Sequence, residues 1–336
     1  MGTVTAVGAR VGMIALLLVA ACDSPAPPPP AWQVVARDLP SAVLSIWGTS
    51  ATDVFAVGGD AGDGRGPTVM HFDGSSWTRL DTGQIGNLWW VFGFEDGPVY
   101  MGGDGGMILR YQSGAFTRMS TPPGTDTVFG LWGAAADDMW AVGGAVGGSS
   151  GGFAWRLQGE TWVVAPGFPA EVTANSALWK IYGRSADDAW MVGTNGNAVR
   201  WDGTSLTVVS TGAGESLFTV HADAQGFVAV GGFGTGSIVE NDGSGWRNTS
   251  PLGAPGFIGI CLTPGGGYAV GQFGTVYSRD GSDWVEEDLE LTINESFHSV
   301  WVDPSDGVWL AGGQVTTLPL TDGIMLYRGA LDVPVF

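Results

Sequence analysis

The sequence predicts an all-β fold: a seven-bladed β-propeller of four-stranded antiparallel blades, with the ring closed by the N-terminal strand pairing with the last blade. Three observations carry this. First, one phrase recurs seven times: an apolar strand, a turn, a second strand ending in glycine, and a third strand running towards a turn and an aromatic residue. The glycine that ends the second strand stands at Gly58, Gly103, Gly143, Gly193, Gly231, Gly271 and Gly312, a period of about 42 residues, and that period with several short strands per unit is the mark of a propeller blade. Second, the segments are short, rich in Val, Ile, Trp, Phe and Tyr, and punctuated by Gly and Asp-Gly, which is strand and hairpin chemistry. Outside the N-terminal segment no window sustains a helical period. Third, large side chains stand in register: three residues before the repeated glycine come Phe55, Tyr100, Trp140, Trp190, Val228, Tyr268 and Trp309, as core packing requires of strands covered on both faces by neighbouring blades.

The chain opens with a separate object. Residues 1–21 carry one basic residue, Arg10, then an apolar run and small residues, the pattern of a secretory signal too short to span a bilayer as a mature helix. Val19-Ala20-Ala21-Cys22 resembles the bacterial lipobox. That resemblance implies removal of residues 1–21 and lipidation of Cys22. Residues 22–31 follow as a Pro-rich linker, extended and semi-rigid, that holds the next domain off the membrane. Residues 32–336 form the propeller. A lone strand at 32–40, with Trp32 in the outer aromatic position, stands before the first copy, and the blades are expected over 43–83, 86–123, 127–168, 176–213, 216–252, 256–290 and 296–329. The last copy ends after three strands, so the 32–40 strand is assigned to it, which also removes an open sheet edge. A second aromatic column starts the outermost strands: Trp77, Phe116, Trp162, Leu206, Trp246 and Trp284.

Charge excludes some partners. The chain has 33 acidic residues against 13 Lys and Arg and a net charge of −20, and losing Arg10 with the signal leaves −21. Such a field repels phosphate backbones and anionic headgroups, so nucleic acid is not expected as a partner, and the membrane is reached through the lipid alone. No metal or cofactor is expected. With Cys22 lipidated, Cys261 is a lone thiol, and His71, His221 and His298 are too dispersed to form a local ligand motif. His221 and Cys261 occupy the position held by Trp47, Phe92, Trp132, Tyr182 and Trp301 in other copies, and are read as packing in place of an aromatic. Asp73-Gly74, Asp202-Gly203 and Asp242-Gly243 are read as two-residue hairpin turns rather than as calcium loops, which need six to eight oxygens.

The sixth copy, YAVGQFGTVYSRDGSDWVEE, resembles the repeat of bacterial BNR or Asp-box propellers and of photosystem II assembly-factor-type propellers. Ser278, Asp280 and Trp284 match that motif, with one residue fewer between the Asp and the Trp. Kelch repeats share the double glycine and the later aromatic pair, here Phe72 and Trp77. A sialidase of the Asp-box class would carry an Arg-Ile-Pro motif and a cluster of substrate-binding arginines. The chain has no Arg-Ile-Pro, and Arg79, Arg110, Arg200 and Arg279 fall on outer strands.

Loops that join blades, and those that join second to third strands, meet on one face around the axis. Two residues before the inner aromatic column stand Ser45, Trp90, Gly130, Lys180, Thr219, Gly259 and Ser299. Lys180 is the only lysine. With Trp89, Trp90, Trp179 and His298 it forms the candidate ligand-binding set, a cationic aromatic patch at the channel mouth. The competing reading is scaffold packing, since Trp89 and Trp179 align with Leu44, Phe129 and Phe218. The function expected from sequence is a monomeric, non-enzymatic binding or assembly scaffold, exported and lipid-anchored in a bacterial envelope, with a protein or glycan partner. A carbohydrate-binding lectin-like module and a sialidase-like glycoside hydrolase are the alternatives.

Overall fold

The structure, a computed structural model, describes residues 1–3, 30–124, 126–145, 147 and 150–336. Cys22 and nearly all of the signal and linker lie outside the described residues. The domain is a ring of seven four-stranded antiparallel sheets. In blades 1 to 6 the four strands follow chain order from the axis outwards. Blade 7 takes its inner three strands from Ser296–Val302, Val308–Gln314 and Thr321–Arg328, and its outermost strand from Gln33–Leu39 at the other end of the chain. The register Gln33↔Tyr327, Val34↔Leu326 and Leu39↔Gly323 closes the ring. Phe336 N–H then donates to Val35 O at 2.8 Å, so the C-terminus caps part of what would be an open edge.

The core is divided by interface. One buried apolar cluster fills each junction between neighbouring blades, because alternate residues of a strand face opposite neighbours. Val54 and Ala56 pack with Trp309, Met325 and Tyr327 of blade 7, while Phe55 and Val57 pack with Leu88, Val91 and Met101 of blade 2. The repeated aromatics meet directly across the two inner strands, as in Trp47↔Phe55, Trp132↔Trp140 and Tyr182↔Trp190. His221↔Val228 and Cys261↔Tyr268 take the same places in blades 5 and 6. Cys261 is buried in the junction of blades 6 and 7, where burial pushes its thiol up to about 11.

The repeated glycine has a steric cause. A Cβ on Gly58, Gly143, Gly193, Gly231 or Gly312 would lie about 2 Å from a carbonyl oxygen at the head of the inner strand of the same blade, for example 2.0 Å from Ala177 O at Gly193. That carbonyl passes over the glycine Cα to accept the next N–H in the chain: Gly59 N to Ala42 O at 3.0 Å, Thr194 N to Ala177 O at 3.1 Å, Gly232 N to Ser216 O at 3.0 Å. No side chain fits under such a contact.

Two local expectations are corrected. The Asp-Gly loops are four residues long rather than two: strands end at Phe72, Trp201 and Asn241 and resume at Trp77, Leu206 and Trp246. In each, the Asp carboxylate accepts hydrogen bonds within its own loop, and Asp242 also accepts from Arg247 on the strand that follows at 2.6 Å. Asp73 Oδ1 accepts from Ser75 Oγ at 2.7 Å and from Ser76 N and Ser75 N at 2.8 and 2.9 Å, which holds its carboxyl down at about 2. The chain also contains a helix, Ala170–Asn175, too short to give a period. It occupies the connection from blade 3 to blade 4, where the glycine spacing is longest.

The steric account makes a prediction. Gly193→Ala lowers the melting temperature by roughly 2–10 °C, while Gly214→Ala, whose Cβ meets nothing within 4 Å, leaves it unchanged. Differential scanning calorimetry of the two variants measures this.

Candidate functional site

Antiparallel order puts the connections between blades and the loops between second and third strands on one face, here called the upper face. Every inner strand starts there, and each carries a register shift at its start: between Val43 and Ser45, Leu88 and Trp90, Val128 and Gly130, Leu178 and Lys180, Leu217 and Thr219, Phe257 and Gly259, and Phe297 and Ser299. The residue skipped each time is Leu44, Trp89, Phe129, Trp179, Phe218, Ile258 or His298. A bulge re-aims a side chain, and seven of them at one level aim seven side chains around the axis.

Six of these seven, all except Leu44, line a cavity of about 280 Å³ at the upper end of the channel. Leu44 packs beside it with Leu320 and Trp89. The aromatic members touch in sequence around the wall. Ring centroids are 6.1 Å apart for His298 and Trp89, 5.2 Å for Trp89 and Phe129, 4.6 Å for Phe129 and Trp179, and 6.1 Å for Trp179 and Phe218. The rim comes from second-to-third-strand loops: Phe233 from blade 5 and the segment Val315 to Leu318 from blade 7. Phe233 and Leu318 are 62% and 66% exposed.

In five of the seven blades the side chain at the next position along the inner strand staples it to a neighbouring blade. Ser45 Oγ accepts from Val91 N at 3.2 Å, Ser299 Oγ accepts from Ile46 N at 3.3 Å, and Thr219 Oγ1 donates to Ile258 O at 2.6 Å. Trp90 Nε1 donates to Leu131 O at 3.0 Å. Lys180 Nζ donates to Phe129 O at 2.8 Å and sits 4.6 Å from the Trp90 ring centroid. Gly130 makes room for this lysine, since a Cβ there would lie 3.0 Å from Lys180 Cα.

Of the residues singled out in the sequence, the structure brings Trp89, Trp179, Lys180 and His298 to one cavity. Trp90 lies behind Lys180 and does not line the cavity. Lys180 is 4% exposed, so its ammonium stands inside the channel rather than on display at the mouth. Burial lowers its pKa to about 7. Burial and the charge of Lys180 push His298 down to about 3. Its Nδ1 faces Leu44 O, which as a carbonyl only accepts, so the proton is on Nδ1 and Nε2 is an acceptor. Among the described residues no carboxylate lines the cavity. Asp104 stays outside it, accepting from Trp89 Nε1 at 2.8 Å and from Asn87 N at 2.9 Å. The cavity is thus an aromatic cup with one buried primary amine and one neutral imidazole. Phe218, Ile258, Phe233 and Leu318 complete it, and of these only Phe218 had a signal, its alignment with the tryptophans.

No protein-family model and no curated protein matches the sequence. Solved structures do match in fold. YCF48 bound to D1 peptide is 17% identical with a TM-score of 0.63, the match covering 90% of this chain and 100% of that one. A streptogramin B lyase is 13% identical with a TM-score of 0.69, covering 89% and 97%. The extracellular domain of the putative hybrid two-component system BT3049 from B. thetaiotaomicron is 11% identical with a TM-score of 0.64, covering 89% of this chain and 42% of that one. At such identities the likeness establishes the seven-bladed propeller fold, which these proteins put to different uses.

His221 makes the second prediction. Its Nδ1 accepts from Leu262 N at 3.2 Å, and its ring lies 3.9 Å from that of Tyr182. Burial lowers it from 6.5 to about 4, so between these values the unfolded chain binds a proton that the folded protein does not, and stability falls as pH falls. His221→Phe removes up to about 1.4 kcal/mol of this acid sensitivity per pH unit. Urea unfolding at several pH values across that window reads the change in slope.

Proposed function

We propose that this protein is a lipid-anchored, extracytoplasmic binding scaffold of a bacterial envelope, which captures a protein partner on its upper face. The observation that carries the reading is the aromatic cup, a preformed apolar cavity with few polar groups, set among apolar loop tips. Six of the eleven large hydrophobic residues exposed in the described structure, Ile85, Phe233, Leu252, Phe273, Leu291 and Leu318, stand on connections of the upper face, and the others lie on outer strands or near the termini. Exposed apolar groups gathered on one face favour a protein partner.

The topology gives this face an orientation. Gln33–Leu39 is a fourth strand, and fourth strands run from the lower face to the upper. The linker therefore joins the lower face, and an anchor at Cys22 turns the cup away from the membrane. The secretory pattern of residues 1–21 and the lipobox-like Val19 to Cys22 support export and anchoring. Among the solved structures of this fold, YCF48 holds a peptide and the BT3049 domain is extracellular. Paired-carboxylate hydrolysis finds no carboxylate in the cup, which favours binding over catalysis there.

Two experiments test this. Crosslinking in intact cells followed by pull-down is expected to recover a partner with the native protein and to lose it with the double variant Phe233→Ser, Leu318→Ser, at unchanged melting temperature. Capture that survives both substitutions places the partner elsewhere. Cys22→Ser is expected to move the protein from the membrane pellet to the soluble envelope fraction, and its retention in the pellet refutes the anchor.

A further inference from the structure

The upper face has a ligand chemistry of its own. Lys180 is buried, it lines the cup, and its ammonium carries three donors, of which one is used, on Phe129 O. No acidic group acts on it among the described residues. A buried cation is ordinarily paired, and in a chain with 33 acidic residues the absence of any carboxylate from this cavity leaves that place to a ligand. The remaining surface is aromatic and aliphatic. His298, the other titratable group facing Lys180, is neutral and offers Nε2 as an acceptor.

We infer that the cup binds a carboxylate carried on a compact apolar body, with Lys180 as its counter-ion and Trp89, Phe129, Trp179 and Phe218 enclosing the apolar part. This deepens the reading of the upper face as a capture surface and rests on it. A cavity of about 280 Å³ is at the small end of ligand sites. It takes one terminal residue of an extended chain, or a free small acid, and no folded element. Both sources present the same chemistry. The net charge of the protein opposes an anion at long range, and salt screens that opposition, so the affinity gained inside the cup is expected to rise with ionic strength before it levels off.

The pH dependence follows from Lys180. Above about 7 the empty cup holds a neutral amine, and a carboxylate must then bring a proton in with it. Affinity is therefore highest where both the acid is ionised and the amine is protonated, and falls by up to about tenfold per pH unit above that. His298 stays neutral throughout this range, and Asp104 is committed to Asn87 and Trp89.

The experiment is isothermal titration calorimetry of the mature propeller with two matched pairs: 4-phenylbutyrate against 4-phenylbutyramide, and the peptide Gly-Gly-Gly-Phe with a free against an amidated C-terminus. In at least one pair the acid is expected to bind about tenfold or more tighter than its amide near pH 6, and to lose that advantage towards pH 9, while the amide stays flat. Lys180→Met is expected to bind acid and amide alike. Preference for the peptide acid identifies a chain terminus as the source, and preference for phenylbutyrate identifies a free acid. Equal binding of acid and amide, no binding of any probe, or an advantage that persists in Lys180→Met overturns the inference. The pH series on the native protein decides even if that variant fails to fold. Partner capture that depends on Phe233 and Leu318 would survive such a refutation, so the two readings fail separately.

Discussion

One contact organises this protein: the carbonyl at the head of each inner strand pressed over the Cα of the glycine that ends the next strand. A backbone hydrogen bond formed across a residue without a side chain lets the two strands stay paired while one of them holds an extra residue. The result is a bulge at a fixed height in every blade. Repeated seven times around a ring, a local packing choice becomes the wall of a cavity, because in six of the seven blades the extra residue of the bulge lines it. The scaffold and the cup are therefore not separable layers of design. The glycine that satisfies sterics in the repeat pairs with the residue just before the bulge that carries Trp89, Trp179 or His298.

Ring closure and the blade junctions divide the remaining work. Each apolar cluster joins two neighbours only, so stability accumulates junction by junction, as in repeat architectures generally. Polar side chains one position past the bulges add a second belt of cross-links between inner strands. Blade 7 adds long-range ties of its own: Arg328 pairs with Glu287 at 2.7 Å, donates to Tyr268 Oη at 2.9 Å, and lies 4.5 Å from the centroid of the Trp32 ring. One guanidinium thus joins blade 6 to the residue that precedes the closing strand.

The number of blades and the borrowed strand were legible in the sequence because they depend on what repeats. Seven glycines at a blade-like period, with aromatics at a fixed offset, leave little freedom in the architecture. The bulges were not legible. Phe129 and Phe218 align with Trp89 and Trp179 and read as packing, since nothing in a string of residues distinguishes a side chain set into a junction from one turned to the axis by a skipped register. Phe233 and Leu318 lie on loops outside the repeat, and their convergence depends on the closed ring. Lys180 stood out by being the sole lysine, but its burial depends on Gly130 in the adjacent blade making room for it. The Asp-Gly pairs signalled turns, and the hydrogen bonds of Asp73 and its counterparts set the turn length that the dipeptide alone did not.

The closing strand joins residues at opposite ends of the chain, with Val333 N bonded to Gln33 Oε1 across 300 positions. Blades 1 to 6 are each continuous in sequence and can form as soon as their own residues are present. Blade 7 cannot, since its sheet is incomplete until the final strand meets one made at the very start. Closing so long a loop is slow relative to local hairpins. During that interval the third strand of blade 7 and the free closing strand carry unpaired edges, the state most prone to mispairing with another copy. A chain with few basic residues and a net charge of −20 repels its own copies over that same interval, which protects the unfinished ring.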